Sequence, residues 1–229
     1  MKRSKLYKSR LESIDNKKAY SLEEAFTALK GMPAVKFDES VDMAFNLGID
    51  TRQPEQNVRG ALSLPNGTGK NITVLVIADG QAADDAKAAG ADYVGFEDMI
   101  EKVKGGWLEF DVMIATPAAM TKVRTLGRVL GPRGLMPNPK TGTVTDDTAA
   151  AVKASKGGRV EYRADKGGAT HVLVGKLSFG VKELKENAVA IAEAINKARP
   201  SATKGVYVVS CTVSSTMSPG LKIDLKDLV

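Results

Sequence analysis

Residues 72–78, Ile-Thr-Val-Leu-Val-Ile-Ala, form an unbroken apolar run, whereas Val41, Met43, Phe45, Leu47 and Ile49 alternate with Asp42, Ala44, Asn46 and Gly48. A continuous run suits a parallel strand buried on both faces, and strict alternation suits a strand with one wet face. Two styles of sheet therefore share this chain. After the run, a helix over Gln81–Ala89, a strand over Tyr93–Gly95, a helix over Glu97–Lys104, a strand over Val112–Ala115 and helices over Pro117–Leu130 and Asp146–Lys156 are predicted. Strand and helix alternate there, as in a doubly wound α/β unit.

The flanks read as α+β. Ser21 and Glu24 have the spacing of a capping box, followed by Leu22, Ala25, Phe26 and Leu29 on one helical face and Gly31 and Pro33 as stop signals. Further strands are expected at Val58–Leu64, around Val160 and Tyr162, at His171–Val174 and at Val206–Met217. The last of these puts Tyr207, Val209, Cys211 and Val213 opposite Ser210, Thr212, Ser214 and Thr216. Val181–Lys197 reads as an amphipathic helix whose buried face is Val181, Leu184, Ala188, Ile191 and Ile195. Similar ends around a dissimilar middle suggest an inserted domain, and the glycines near 65–70 and 157–160 suggest hinges between the parts.

Several functions are excluded by what the chain lacks. One cysteine, Cys211, and one histidine, His171, cannot assemble a four-ligand zinc site or an internal disulfide. Cys211 falls on the apolar side of its strand, which favours a structural thiol over a nucleophile. Gly67-Thr-Gly-Lys70 resembles the end of a phosphate loop, but Leu64 stands where the first glycine belongs, Asn71 follows the lysine, and a strand follows instead of a helix. No cofactor and no metal are expected. The basic N-terminus is followed by no apolar stretch, and no segment approaches the roughly 18 apolar residues of a membrane span, so a cytoplasmic location is the expectation.

Charge points to a polyanion. The 33 lysines and arginines against 27 acids give +6. Residues 1–67 hold 11 basic and 9 acidic side chains and residues 160–229 hold 10 and 7, against 12 and 11 between them, so the excess sits at the ends. Lys2, Arg3, Lys5, Lys8 and Arg10 cluster before the first acid, Glu12. No acid occurs between Asp111 and Asp146, where Arg124, Arg128, Arg133 and Lys140 accompany a loop rich in glycine and proline, nor between Glu193 and Asp224, where the hydroxyl-rich strand lies. Hydroxyls and cations on an open strand face suit RNA sugars and phosphates. An α/β enzyme using a nucleotide crevice and a generic basic chaperone of nucleic acid are the alternatives on residues alone.

The segments Ala34-Val-Lys-Phe-Asp-Glu-Ser40, Asn46-Leu-Gly-Ile-Asp50, Gln56-Asn-Val-Arg-Gly60, Leu130-Gly-Pro-Arg-Gly-Leu-Met-Pro-Asn-Pro139 and Ser215-Thr-Met217 together resemble the bacterial ribosomal protein L-one family over essentially the whole length. The resemblance implies a composite α+β domain from residues 1–67 and 160–229 and an inserted Rossmann-like three-layer α/β domain over 68–159. It implies no catalysis, a monomer off the ribosome, binding to the 23S rRNA stalk near the tRNA exit site, a part in release of deacylated tRNA, and repression of its own operon mRNA. RNA contacts carry over by motif to Lys36, Phe37 and Ser40, to Asp165, Lys166, Gly168 and His171, and to Ser215, Thr216, Met217 and Gly220. Arg124, Arg128, Arg133 and Lys140 are assigned secondary contact with stalk RNA or exit-site tRNA. Ser218 stands where many relatives have glycine, which costs energy if that backbone needs a positive φ.

Overall fold

The computed structural model describes residues 3–15 and 18–228. Contacts divide the chain into two compact units, one from Met1–Gly69 with Val160–Val229 and one from Lys70–Arg159.

In the first unit, a four-stranded antiparallel sheet has the order β7-β1-β8-β9, from β1 (Ser40–Leu47), β7 (Ala169–Lys176), β8 (Val208–Ser215) and β9 (Leu221–Ile223). Its odd-numbered β1 residues Val41, Met43, Phe45 and Leu47 face helices α2 (Leu22–Gly31) and α8 (Val181–Lys197). Phe26 from α2 and Leu184, Ala188, Ile191 and Ile195 from α8 are fully buried against them. Each such aliphatic or aromatic side chain contributes about 1.5–3 kcal/mol by leaving water. Val181, expected in that face, is only half-buried because it occupies the first helical turn. The capping box of α2 forms, with Ser21 Oγ accepting from Glu24 N at 3.3 Å and Glu24 accepting from Ser21 N at 3.4 Å. A short second sheet pairs β2 (Arg59–Ser63) with β6 (Arg159–Arg163).

In the second unit, β3 (Val74–Ile77) lies between β4 (Tyr93–Gly95) and β5 (Val112–Ala115), all parallel. All four residues of β3 are fully buried. Val74 and Val76 face α3 (Gln81–Ala88) and α7 (Thr148–Lys156), whereas Leu75 and Ile77 face α4 (Glu97–Lys104) and the helical stretch 120–130. Helices thus cover both faces of the strand that the unbroken apolar run predicts. Gly67-Thr-Gly-Lys70 forms a turn with Gly67 and Gly69 both at φ 68°.

Three local expectations are corrected. Residues 117–130 do not form one helix: α5 (Met120–Val123), a 3-10 turn at Arg124–Leu126 and α6 (Gly127–Leu130) follow one another. The Thr121 and Thr125 hydroxyls donate to the carbonyls three residues back, and Gly127 is a poor helix former, so the α ladder tightens there. Arg124 thus begins the 3-10 turn and Arg128 lies in α6. In β8, the register against β1 shifts between Asn46 and Leu47, and the extra residue turns Val209 outward to 50% exposure while Tyr207 stays buried. The strand also ends at Ser215, so Thr216 and Met217 lie in a turn. The N-terminal arm, read from the sequence only as a cluster of positive charge, forms α1 (Lys5–Glu12), with Ser4 Oγ accepting from Tyr7 N at 3.2 Å. Lys2 lies outside the described residues.

Candidate nucleic-acid interface

The open face of the first unit's sheet is set by the same alternation that builds its core. Cross-strand register aligns His171, Ala44, Thr212 and Lys222 in one row, and Leu173, Asp42 and Ser214 in the next, with Asn46 and Ser210 beyond. His171, Asn46, Ser210 and Lys222 are exposed, and the others are half-buried. Cys211 pairs with Phe45 on the buried face, so His171 and the thiol lie on opposite sides of the sheet. Burial pushes that thiol up to about 12, which keeps it protonated at neutral pH.

At one end of this face, two segments are stitched together. Thr216 N donates to Ser40 O at 3.1 Å and Ser40 N donates to Thr216 Oγ1 at 3.1 Å. Lys176 Nζ donates to Asp38 O and Ser40 Oγ, both at 3.2 Å, and Ser178 donates from N and Oγ to the Asp38 carboxylate. On this frame Phe37 stands 53% exposed and Met217 45% exposed, with Lys36 exposed beside Phe37. Large apolar side chains left in water on a cationic, hydroxyl-bearing edge have the chemistry that suits contact with bases and sugars. Ser218 costs nothing here. No non-glycine residue among those described has a positive φ, and Ser218 Oγ instead accepts from Ser215 N at 2.8 Å, closing the turn. Gly220 approaches Thr212 so closely that a Cβ there would lie 2.7 Å from its methyl.

Beneath the edge, Glu39 is 1% exposed. Its carboxylate accepts from Arg10 Nη1 at 3.1 Å and Nη2 at 2.6 Å, from Ser215 Oγ at 2.6 Å and from Met217 N at 3.0 Å. Burial alone would raise its pKa, but the hydrogen bonds from Arg10, Ser215 and Met217 outweigh burial and hold it at about 2. Because the folded value lies below the ordinary 4.5, the stabilisation is complete above that value and is lost as pH falls through it toward 2. Thermal melting of the parent between pH 6 and pH 2 is expected to fall most steeply below about pH 4.5. Glu39→Gln is expected to shallow that fall, and parallel profiles would contradict it.

At the far end of β1, the turn 165–168 is built by its own residues. Asp165 Oδ1 accepts from Gly167 N and Ala169 N, both at 2.8 Å. Asp165 thus shapes the loop, leaving Lys166 exposed at its tip and His171 further along the strand. Gly168 has φ 82°, and a Cβ there would sit 2.8 Å from Leu47 O. Gly168→Ala is expected to cost about 1–3 kcal/mol in urea unfolding, from left-handed strain plus displaced backbone. An unchanged midpoint would contradict that.

In the second unit, Arg124, Arg128, Arg133 and Lys140 are all exposed. The loop carrying Lys140 is rigidified by Asn138, whose carbonyl accepts from the Thr141 and Thr143 hydroxyls at 3.1 and 3.2 Å and whose side chain accepts from Lys140 N at 2.8 Å. Among the described residues, no cluster of three or more His, Cys, Asp or Glu side chains could hold a metal ion, and no helix is long and apolar enough to cross a membrane.

Residues 27–219 match the ribosomal protein L1p/L10e family. The chain belongs to that family. Its curated relatives include large ribosomal subunit protein uL1 of Methylobacillus flagellatus, 56% identical over 98% of each chain, and that of Teredinibacter turnerae, 54% identical over 99% of this chain and 98% of its own. The protein of the same name from Streptococcus gordonii is 53% identical over 99% of both. The L1p/L10e family is one of ribosomal proteins, not enzymes.

Seen as part of a family member, the edge formed by 36–40 and 215–218 brings together two of the three predicted clusters, while 165–168 sits at the opposite end of the sheet with His171 between. Sequence reasoning missed Glu39, Arg10, Asp38 and Lys176. For Glu39 a signal existed: it shares the odd parity of Val41, Met43, Phe45 and Leu47, so it points inward and needs a buried cation.

Proposed function

We propose that this chain is a component of the large ribosomal subunit that binds 23S rRNA through its first unit. The observation that carries this is the edge itself, where Phe37 and Met217 stand exposed on backbone fixed by the Ser40–Thr216 pairing beside a face of hydroxyls, His171 and Lys222. A rigid edge that offers apolar contact, hydroxyls and cations together suits structured RNA. Its relatives are named as large-subunit proteins, which supports the same partner.

The reading has finer parts. Lys36, Phe37, Ser40, Lys166, His171, Thr216, Met217 and Gly220 face RNA, with Asp165 and Gly168 holding the turn that presents Lys166; Ser215, expected among the contacts, is 5% exposed with its hydroxyl on Glu39 and supports the turn from below. The first unit is the RNA-binding domain and the second is the Rossmann-like insertion, expected over 68–159, a division supported by the separation of the chain's contacts into Met1–Gly69 with Val160–Val229 and Lys70–Arg159. Bound to the stalk, the protein assists release of deacylated tRNA at the exit site, with Arg124, Arg128, Arg133 and Lys140 as secondary contacts, and the same edge represses its own operon by binding a similar fold in the messenger. It acts as a monomer off the ribosome.

The test is incorporation. Large subunits stripped of their stalk protein are mixed with the purified chain and sedimented, and the chain is expected to return at one copy per subunit and restore tRNA release. Protein that stays at the top of the gradient would sink the reading. In a coupled translation of its own operon, added protein is expected to lower output until stalk RNA is supplied as competitor.

A further inference from the structure

Arg10 is the one described residue of α1 that is buried, at 1% exposure, in a helix whose other side chains face water or are half-covered. A long cation so placed is unusual for a basic arm expected to meet phosphate. Its donors are already committed: Nε gives to Pro33 O at 3.1 Å, Nη2 gives to Pro33 O as well, and Nη1 and Nη2 grip both oxygens of Glu39. It has no face left for RNA.

Glu39 Oε2 is the point of convergence. It takes Arg10 Nη1, Ser215 Oγ and Met217 N together, while Oε1 takes Arg10 Nη2. The bidentate grip fixes the plane of the carboxylate, and that plane decides where Oε2 points. Oε2 in turn holds the start of the turn from which Met217 projects. Without Arg10 the buried carboxylate either stays unpaired or takes a proton, and a protonated oxygen donates where it formerly accepted.

We propose that Arg10 is a positioning residue for the RNA-binding edge: the N-terminal helix sets the 215–218 turn through Glu39, without touching RNA. The proposal rests on the RNA-binding reading above. It makes the order of a helix at one end of the chain part of the affinity of a turn near the other end.

Three full-length variants test it: Arg10→Met, Arg10→Met with Glu39→Gln, and Arg10→Met with Glu39→Met. Each is titrated with a stalk-sized fragment of large-subunit RNA at several salt concentrations, with active fraction and melting temperature measured alongside. Arg10→Met is expected to bind about tenfold more weakly with an unchanged salt slope, because a lost phosphate contact would reduce that slope by about 0.9 and a displaced turn would not. The Gln double variant keeps a neutral acceptor for Ser215 and Met217 and is expected to recover to within about threefold of the parent. The Met double variant removes the buried charges with no acceptor left, so it is expected to melt near the parent yet stay weak. That pair of double variants carries the test if Arg10→Met alone does not fold.

Parent-like affinity in the Met double variant overturns the proposal, as does a reduced salt slope in Arg10→Met. A parent that binds a plain duplex as well as the stalk fragment overturns the RNA-binding reading itself, an outcome seen before any variant is compared.

Discussion

Thr216→Val and Met217→Ala are each expected to weaken binding to stalk RNA by about tenfold or more, and removal of Lys2 and Arg3 by no more than about twofold. The contrast follows from how each side chain is held. Thr216 Oγ1 accepts from Ser40 N at 3.1 Å, so valine leaves that amide without its partner and loosens the strand beside Phe37. Met217 is 45% exposed in the free protein, and its methylenes and sulfur are apolar area available for burial against a base or sugar. Arg3, by contrast, lies exposed ahead of α1, 4.9 Å over the Tyr7 ring, where salt screens its charge. Filter binding or calorimetry on the full chain separates the cases, and equal losses across all three would contradict the site.

Glu39→Ala is expected to cost about 3–5 kcal/mol of the first unit's stability, the largest effect of any polar substitution considered. Removing the carboxylate strands Arg10, a guanidinium at 1% exposure, and takes the acceptor from Ser215 Oγ and Met217 N. A buried cation left without its counter-ion is far costlier than the pair is beneficial, and Glu39→Gln, which keeps a carbonyl acceptor among these donors, is expected to lose less. Because the chain has two compact units, hydrogen exchange at the amides of β1 and β8 is the proper readout. Exchange rates in Glu39→Ala that match the parent would contradict the account.

Most of the architecture was legible because hydrophobic period carries it. The unbroken run at 72–78 corresponds to β3, fully buried between two helical layers, and the alternation at 41–47 corresponds to β1, with one face on α2 and α8. The boundaries of α4, β4, β5 and α8 coincide with the periodic segments, because glycine, proline or a capping residue marks their ends. Where reading failed, the cause was a competing local interaction that period does not encode. The extra residue at Val209 depends on how β8 pairs with β1, the tightened turn at 124–126 on threonine hydroxyls, and the end of β8 on Ser218 Oγ closing the turn.

For the interface, the residues on the edge were legible but their support was not. Lys36, Phe37, Thr216 and Met217 emerged from motif and chemistry. In sequence Arg10 is indistinguishable from the other N-terminal cations, because nothing in its own neighbourhood shows that its partner lies at position 39. Only the inward parity of Glu39 pointed to the pair. Asp165 matched a motif as a contact, yet both bonds drawn from its Oδ1 go to its own turn.

The most direct measurement is a titration of the purified chain with a stalk-sized fragment of large-subunit RNA and with a plain duplex of equal length, each at two salt concentrations. A preference for the stalk fragment that survives added salt is the predicted result, since apolar and hydroxyl contacts at Phe37, Thr216 and Met217 do not depend on counterion release. Equal affinities that collapse together as salt rises would mean the edge is only a basic surface, and would contradict the account.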